Sequence, residues 1–325
     1  MPSYDTSISF VYKVETHKVS GKIVNVTGSE YYPLNGFVVN FSTKRTPSQE
    51  TGEISESYTT STASDGSYSF ANVPSGAKGT ITITNNDNTY QSASSGEISV
   101  SDADVTVGNI SVEKFMRSVE GSLSLNTDKG TLKNATIVAK FEDDYWTYED
   151  TKTVAEDVHT YDFKFENIHQ GTSGIITIKQ VGYKDIIKNV AKVNTDVDCG
   201  ELTLDPITYY IQFKDSAGST QMSYKQTVKY DNYPFNLNEK KFTEHPGYTF
   251  DNWIDVNGAT YSDKQEINKN LCSNEGEVFV LTAQYTANNY KATVNIVDDL
   301  GNKVKDGDGQ EVGPIVKNNL KIGDV

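Results

Sequence analysis

The chain has 325 residues, a formal net charge of −15 at pH 7 and only 36% hydrophobic residues. So low an apolar content argues against one large core and favours roughly two to four small modules, while 11% aromatic residues, with 20 tyrosines among them, favour β-structure. The acidic charge argues against nucleic acid and anionic membranes as partners, because both repel a negatively charged protein.

Cysteine usage and hydrophobicity narrow the class of protein further. Cys199 and Cys272 form neither a disulfide framework nor the paired spacing of a zinc site. No run of about 18 apolar residues exists, so the sequence predicts no membrane span. Residues 1–12 are predicted to be a lead-in strand or tail, and the N-terminus lacks the features of a signal peptide. We therefore expect either an intracellular protein or a piece of a longer chain.

The first two thirds of the chain contain an internal repeat, which predicts homologous modules at residues 13–114 and 115–206. The order of the matching segments is kept, and their offset drifts only from 100 to 92 residues. The matching pairs are "VSGKIV…PLNGFVVNF" (19–41) with "VEGSLS…TLKNATIVAKF" (119–141), "YSFANVPSGAKGTITI" (68–83) with "FKFENIHQGTSGIITI" (163–178), and "DVTVGNISV" (104–112) with "DVDCGELTL" (196–204).

Local patterns in these segments predict strands, bulges and one turn. In "DVTVGNISV" the apolar residues change parity at Gly108, and the second copy repeats that change at Gly200. A β-bulge at each glycine would return the apolar residues to one face. Cys199 occupies the position of Val107, which predicts a small buried apolar role. "SDGSY" (64–68) predicts a hairpin, because Asp-Gly supplies the positive φ of a tight turn.

The strings "VSGKIV", "PLNGFVVNF" and "STASDGSYSFANVPSG" resemble carboxypeptidase regulatory-like or collagen-adhesin B-type modules. The resemblance implies a transthyretin-like β-sandwich of seven strands. Residues 19–113 match the pattern well, whereas the second copy keeps the hydrophobic positions but reads "AEDVHTYDF" where the Asp-Gly turn would be.

Some adhesin modules of this kind carry a Lys–Asn isopeptide bond, so the resemblance makes Lys22 and Asn109 candidates for one. The second copy has Ser122 and Glu201 at those places, and no acidic catalyst is evident in the sequence. The alternative, that both are ordinary exposed strand residues, is preferred.

The stretch "FEDDYWTYED" (141–150) combines aromatic rings and carboxylates, which together are able to stack on and hydrogen-bond a sugar. The candidate ligand-binding residues are Tyr145, Trp146, Tyr148, Asp143 and Asp144. The alternative is a β-hairpin with cross-strand aromatic pairs, and it is the preferred interpretation.

From residue 207 the pattern changes, and residues 207–289 closely resemble the internalin B-repeat (Listeria–Bacteroides repeat) family. The motifs that carry this resemblance are "YIQF", "QTVKY", "PGYTFDNW", "NGATY" and "LTAQYT", in that order. The resemblance implies a small, sheet-rich, β-grasp-like module of the kind found in tandem on bacterial surface proteins.

So small a module can bury few side chains, so its aromatic residues are expected to form most of the core. Tyr248, Phe250 and Trp253 are therefore predicted to be core residues rather than a ligand platform. "NG" at 257–258 predicts a turn. Alternation places four residues of the last strand on one face: Phe279, Leu281, Ala283 and Tyr285.

Residues 290–325 are predicted to be an incomplete second repeat. When the sequence is aligned with itself at an offset of 83 residues, Val294 aligns with Ile211 and Ile296 aligns with Phe213. Half a module leaves a sheet edge open. We therefore expect a fragment of a longer array, or a partner chain that completes this part.

No pattern of a catalytic or cofactor site occurs in the sequence. The four histidines lack metal-binding spacing, and neither a nucleophile elbow nor a phosphate-binding loop is present. Three acidic loops are candidate calcium-binding sites, at 102–105, 142–145 and 306–311. The preferred interpretation is that they are ordinary loops exposed to solvent. We expect no enzyme activity, no cofactor and no metal.

Together these patterns predict an all-β protein of tandem small modules. The two family resemblances imply a non-catalytic stalk or adhesion region of a bacterial cell-surface protein, located outside the cell. Its expected partners are a protein or glycan on a host or neighbouring cell and the adjoining modules of a longer chain. The alternatives are a carbohydrate-binding accessory region of a secreted enzyme and an intracellular or virion structural protein.

Overall fold

The computed structural model describes residue 7 and residues 13–27, 30–47, 52–85, 88–216 and 223–324. In this part of the chain the regular secondary structure is β-strand throughout, which confirms the all-β prediction. None of the described segments forms a helix long and apolar enough to cross a bilayer. The predicted lead-in at 1–12 lies, apart from residue 7, outside the described residues. Buried side chains form three separate hydrophobic clusters, called here the first, second and third cores.

The first core lies between two sheets. Its strands are β1 (Thr16–Thr27), β2 (Glu30–Pro33), β3 (Val38–Arg45), β4 (Ile54–Ser61), β5 (Ser67–Pro74), β6 (Lys78–Thr84), β7 (Ala93–Ser99), β8 (Val105–Thr106) and β9 (Ile110–Ser111). One sheet has the order β2-β1-β5, with β8 and β9 parallel to β1, and the other has the order β4-β3-β6-β7. Alternate side chains of both sheets point inward, so that Phe41 and Phe70 meet with ring centroids 5.7 Å apart.

The second core repeats this arrangement. Its strands are β10 (Met116–Leu125), β11 (Thr136–Asp143), β12 (Trp146–Thr153), β13 (Thr160–His169), β14 (Ser173–Lys179), β15 (Ile186–Val190) and β16 (Val197–Leu204). The sheets have the orders β13-β10-β16 and β12-β11-β14-β15. Strand β10 is equivalent to β1, and β16, which is parallel to β10, is equivalent to β8 and β9. These equivalent strands lie in the segments that the sequence repeat matches.

The predicted bulge at Gly200 is present. The pairing of β10 with β16 shifts register between Glu120 and Ser122, opposite a glycine with φ of +70°. As a result Cys199 and Leu202, which differ in parity, both pack against the second core. In the first core, pairing with β1 slips by one residue between β8 and β9, on either side of Gly108.

Both cysteines are free thiols. Cys199 is half-buried against the second core, and desolvation raises the pKa of its thiol. Cys272 is buried in the third core, where desolvation raises the pKa of the thiol to about 11. Each thiol therefore acts as a small apolar core residue.

The hairpin predicted at 64–68 is wrong, although the turn itself is present. Gly66 has a φ of +74°, and a Cβ there would lie 2.6 Å from the Ile23 carbonyl oxygen. Strand β4 pairs with β3, however, and β5 pairs with β1. The turn therefore carries the chain from one sheet to the other, because Asp-Gly specifies the backbone of a turn but not the partner of the strand that follows it.

The third core covers one mixed sheet of order β18-β17-β23-β20-β21, in which β17 and β23 are parallel. The strands are β17 (Thr208–Lys214), β18 (Ser223–Lys229), β19 (Phe235–Asn236), β20 (Tyr248–Ile254), β21 (Thr260–Tyr261), β22 (Glu266–Ile267) and β23 (Val278–Ala287). Strands β19 and β22 pair separately. The predicted common face of β23 is confirmed, since all four of its predicted residues belong to the third core.

The predicted roles of the three aromatic residues of β20 are only partly correct. Trp253 is fully buried and Phe250 packs against it, but Tyr248 is exposed. Tyr248 lies at the end of β20 opposite Ala287, beyond the core residues of β23. The turn predicted at 257–258 is confirmed by the φ of +86° at Gly258, which lies between β20 and β21.

The remaining segment forms an antiparallel pair, β24 (Tyr290–Val294) and β25 (Ile315–Leu320). Two short turns between these strands are held by aspartate side chains. Asp306 Oδ1 accepts hydrogen bonds from the backbone N–H groups of Asp308 and Gln310, and Asp298 acts in the same way. In the acidic loop at 306–311, the Asp306 carboxylate therefore stabilises a turn.

Candidate functional site

The first junction is the place where the chain passes from the first core to the second, at residues 113–117. Backbone hydrogen bonds hold this linker on both sides. Gln91 N–H donates to the Glu113 carbonyl at 2.8 Å, and Phe115 N–H donates to the Thr89 carbonyl at 3.1 Å. On the other side, Gln170 N–H donates to the Phe115 carbonyl at 2.8 Å. The linker therefore has little freedom to swing.

The candidate sugar-binding stretch at 141–150 forms a hairpin at this junction. Strands β11 and β12 pair from Thr136 to Asp143, with Asp143 opposite Trp146. Phe141 and Tyr148 face each other across the strands with ring centroids 6.3 Å apart. The hairpin with a cross-strand aromatic pair, which the sequence left as the preferred interpretation, therefore describes this stretch.

The candidate ligand-binding residues make contacts within the protein. The Tyr145 ring lies 4.4 Å from that of Tyr32, which lies in β2 of the first module. Trp146 stacks on His169 at 4.0 Å, and Tyr148 packs against the second core. Asp143 binds Lys114, while Asp144 is exposed at the turn. Trp146 and Tyr148 thus make their ring contacts within the second module, while Tyr145, which is 53% exposed, contacts the first.

Lys114 and Asp143 form the strongest charged contact of the junction. Their Nζ and Oδ2 atoms are 2.5 Å apart, and the two side chains are only 12% and 17% exposed. Burial alone would raise the pKa of Asp143, but the hydrogen bonds from Lys114 and from the Tyr145 N–H lower it below its ordinary value. Lys114 Nζ also lies over the Tyr90 ring, 5.7 Å from its centroid. The pair joins the linker to the hairpin of the second core.

Replacing Lys114 by methionine is expected to lower the free energy of unfolding by about 2 kcal/mol, because Asp143 would be left half-buried without its cation. Because both groups keep some access to solvent, this loss of stability should be smaller than that from breaking a fully buried pair. Urea unfolding at pH 7 measures the free energy of unfolding of the variant and of the wild type. Lys140→Met, which breaks the exposed pair with Glu149, is the matched control and should cost below about 0.5 kcal/mol. Equal losses in the two variants would contradict the structural role of Lys114.

His169 is buried at the same junction. Its Nδ1 atom has no hydrogen-bond partner within the described residues. Burial, and after it the positive charge of Lys114, lower the pKa of the imidazole, and Asp143 offsets this only in part. The folded protein therefore favours the neutral ring stacked on Trp146.

The junction is accordingly expected to weaken in acid. Because the folded pKa of His169 is lower than the unfolded value of about 6.5, its contribution is present above that pH and is lost as the pH falls through the folded pKa. Thermal unfolding between pH 7.5 and pH 5 measures the loss. His169→Phe keeps an aromatic ring on Trp146 but removes the titration, so its unfolding should depend less on pH in this range. An unchanged pH dependence would exclude His169 as the cause.

The second junction joins the second core to the third through Tyr183. Its hydroxyl donates a hydrogen bond to Asp231 Oδ2 at 2.5 Å, and its ring meets Tyr230 edge-on at 5.7 Å. Burial and Asp231 both raise the pKa of the Tyr183 hydroxyl. The Tyr230 ring rests on Gly182, where a Cβ would lie 2.2 Å from it. Only glycine allows so close an approach.

The candidate isopeptide residues lie at one edge of the first core. Lys22 Nζ is 3.3 Å from Asp65 Oδ2, and the two side chains are 51% and 59% exposed. Asn109 is also exposed and lines the same shallow cleft. Lys22 is thus paired with Asp65 at the surface, and the Lys–Asn bond stays a prediction.

No cluster of metal ligands was found where the chain is described, the criterion being three or more His, Cys, Asp or Glu side chains together. The contacts of the two junctions involve residues that the sequence patterns did not mark: Tyr32, Lys114, His169, Tyr183 and Asp231. The one available signal was charge, because Lys114 lies in a short linker and the hairpin at 141–150 is acidic.

No protein-family model matches the chain, and no curated protein matches it. Several solved structures are similar. A structure of the Bacillus anthracis TIE protein aligns with 83% of this chain at 13% identity and a TM-score of 0.40, and this chain covers 51% of its length. The chain thus spans about half of that protein.

Two pilins are also similar. GBS52, the minor pilin of Streptococcus agalactiae, aligns with 59% of this chain at 10% identity and a TM-score of 0.24, over 97% of its own length. The shaft pilin SpaA of Lactobacillus rhamnosus GG aligns with 59% at 15% identity and a TM-score of 0.23, over 98% of its length. At these scores no functional conclusion is transferred to this chain.

Proposed function

We propose that this chain is a non-catalytic stalk region of a bacterial cell-surface protein, which spaces or presents a binding region away from the cell. The observation that carries the proposal is the first junction, where a linker held by backbone hydrogen bonds on both sides, a mostly buried ion pair and one contact between tyrosine rings link the first module to the second. Small modules joined by such contacts gain stability from their neighbours, and this is what an extended array requires.

The module types follow from the sequence motifs. We propose carboxypeptidase regulatory-like or collagen-adhesin B-type modules at 13–114 and 115–206, an internalin B-repeat module at 207–289 and an incomplete second repeat at 290–325. The proposed location is the outside of the cell, and the proposed partner of the whole protein is a protein or glycan on a host or neighbouring cell.

The location is tested with antibodies raised against the purified chain. Labelling of intact cells of the source organism supports a surface stalk. Labelling that appears only after the cells are made permeable would contradict it and favour an intracellular structural role.

The spacer role is tested by small-angle X-ray scattering of the purified protein. If the first junction is rigid, the scattering should give one narrow distribution of interatomic distances. Combining Lys114→Met with Tyr32→Ala should broaden this distribution, because the first change frees the linker from the hairpin of the second module and the second removes the ring contact between the two modules. The same distribution in the variant and the wild type would contradict a role of the junction in rigidity.

A further inference from the structure

A cleft of about 490 Å³ lies beside the second junction. One wall comes from the segment of the second core, with Asp128, Asn134 and His159, and the other comes from the segment of the third core, with Tyr230 and Tyr233. Clefts between modules are a common position for ligand sites, and this volume is in the range of known small-molecule pockets.

The walls of the cleft are held in place by hydrogen bonds. Gln180 Nε2 donates to the Thr131 carbonyl at 3.0 Å, and the Lys133 N–H donates to Gln180 Oε1 at 3.2 Å. The wall from the third core is fixed by Asp231, which accepts from Tyr183 and from Asn270. These bonds fix the backbone of the two walls, which carries the side chains that face the cleft.

Several polar side chains of the cleft are not used within the protein. Wherever the chain is described, no hydrogen-bond or ion-pair partner is found for four side chains: Asp128, Asn134, His159 and Tyr233. Tyr233 is 38% exposed and lines the cleft, so part of its side chain is open to solvent there. The two lysines of the cleft, by contrast, are engaged, Lys129 with the Tyr233 carbonyl and Lys133 with Asp157.

We propose that this cleft binds a short neutral carbohydrate. The apolar face of a sugar ring stacks on an aromatic side chain such as Tyr233. Its hydroxyls donate hydrogen bonds to a carboxylate, supplied by Asp128, and exchange them with an amide and an imidazole, supplied by Asn134 and His159. The lining carries two carboxylates, Asp128 and Asp231, and two lysines, Lys129 and Lys133, so it has no excess of positive charge that would select an anionic ligand. The site goes beyond the stalk role and does not depend on it.

The test is binding of the purified full chain to an immobilised array of neutral, sialylated and sulfated oligosaccharides. Neutral members are expected to bind. Tyr233→Ala should weaken that binding by about tenfold or more, whereas Tyr233→Phe keeps the ring and should retain most of it. The matched control is Tyr31→Ala, since Tyr31 is an exposed tyrosine of the first-core segment and its loss should change nothing.

Three outcomes would overturn the proposal: no binding anywhere on the array, binding only to the sialylated or sulfated members, or neutral binding that Tyr233→Ala leaves unchanged. If Tyr233→Ala lowers the melting temperature, sugar binding is measured instead with Asn134→Asp and His159→Gln. Both positions are exposed, so these substitutions should leave the fold intact. Unchanged binding in both of those variants would also overturn it. Surface labelling of cells is independent of all these results, so failure of the cleft and failure of the stalk role are distinguishable.

Discussion

Replacing Trp253 by alanine is expected to unfold the third core at a cost of about 3–5 kcal/mol while the first and second cores stay folded. Trp253 is fully buried, and its ring lies 4.9 Å from that of Phe213, 5.1 Å from that of Phe250 and 5.9 Å from that of Phe242. Trp253 is the largest fully buried side chain, and a core of this size can close only part of the space that its loss would leave. Calorimetry of the variant should show the third core unfolding at a lower temperature than in the wild type. The unfolding transition of the first and second cores should be unchanged.

Two further variants make this result specific to the core. Trp253→Phe should cost much less, because it keeps a ring and because Trp253 Nε1, which is buried, has no hydrogen-bond partner among the described residues to lose. Tyr248→Ala, in the same strand, should cost below about 1 kcal/mol because that side chain is exposed. If the alanine variants at 248 and 253 were equally destabilised, the assignment of Trp253 as the centre of the third core would be wrong.

Replacing Gly79 by alanine is expected to destabilise the first core by about 3 kcal/mol, because the strands approach too closely to accept a methyl group. A Cβ at Gly79 would lie 2.0 Å from the Ser42 carbonyl oxygen in β3, which is backbone and has little room to move. Gly174 in the second core is equivalent, with a Cβ 2.0 Å from the Lys140 carbonyl oxygen. Urea unfolding of Gly79→Ala and Gly174→Ala measures both effects.

Gly96 in β7 supplies the matched control for this prediction. It lies in the strand next to β6 in the same sheet, and a Cβ there would meet nothing within 4 Å. Gly96→Ala should therefore be neutral or slightly stabilising, since alanine reduces the freedom of the unfolded chain. A loss as large as that of Gly79→Ala would mean that glycine is required throughout the sheet and that close strand approach is not the cause.

The sequence by itself determined the features that depend on neighbours along the chain. Alternation of apolar residues predicted the buried face of β23 and the all-β class, because side chains of a strand point to opposite sides with period two. The change of parity at Gly200 predicted the bulge for the same reason. The correspondence of two long segments also predicted homologous modules, and the strand orders around the first and second cores are alike except that β2 has no counterpart in the second.

Only the tertiary structure decided which distant residues meet. It showed that the turn at Gly66 connects two sheets, that Tyr248 lies beyond the end of the third core, and that Tyr145 contacts Tyr32. The pairing of Lys114 with Asp143 is of the same kind. Such contacts depend on how whole sheets and modules pack together, and packing between distant segments leaves no periodic pattern along the chain from which it could be predicted.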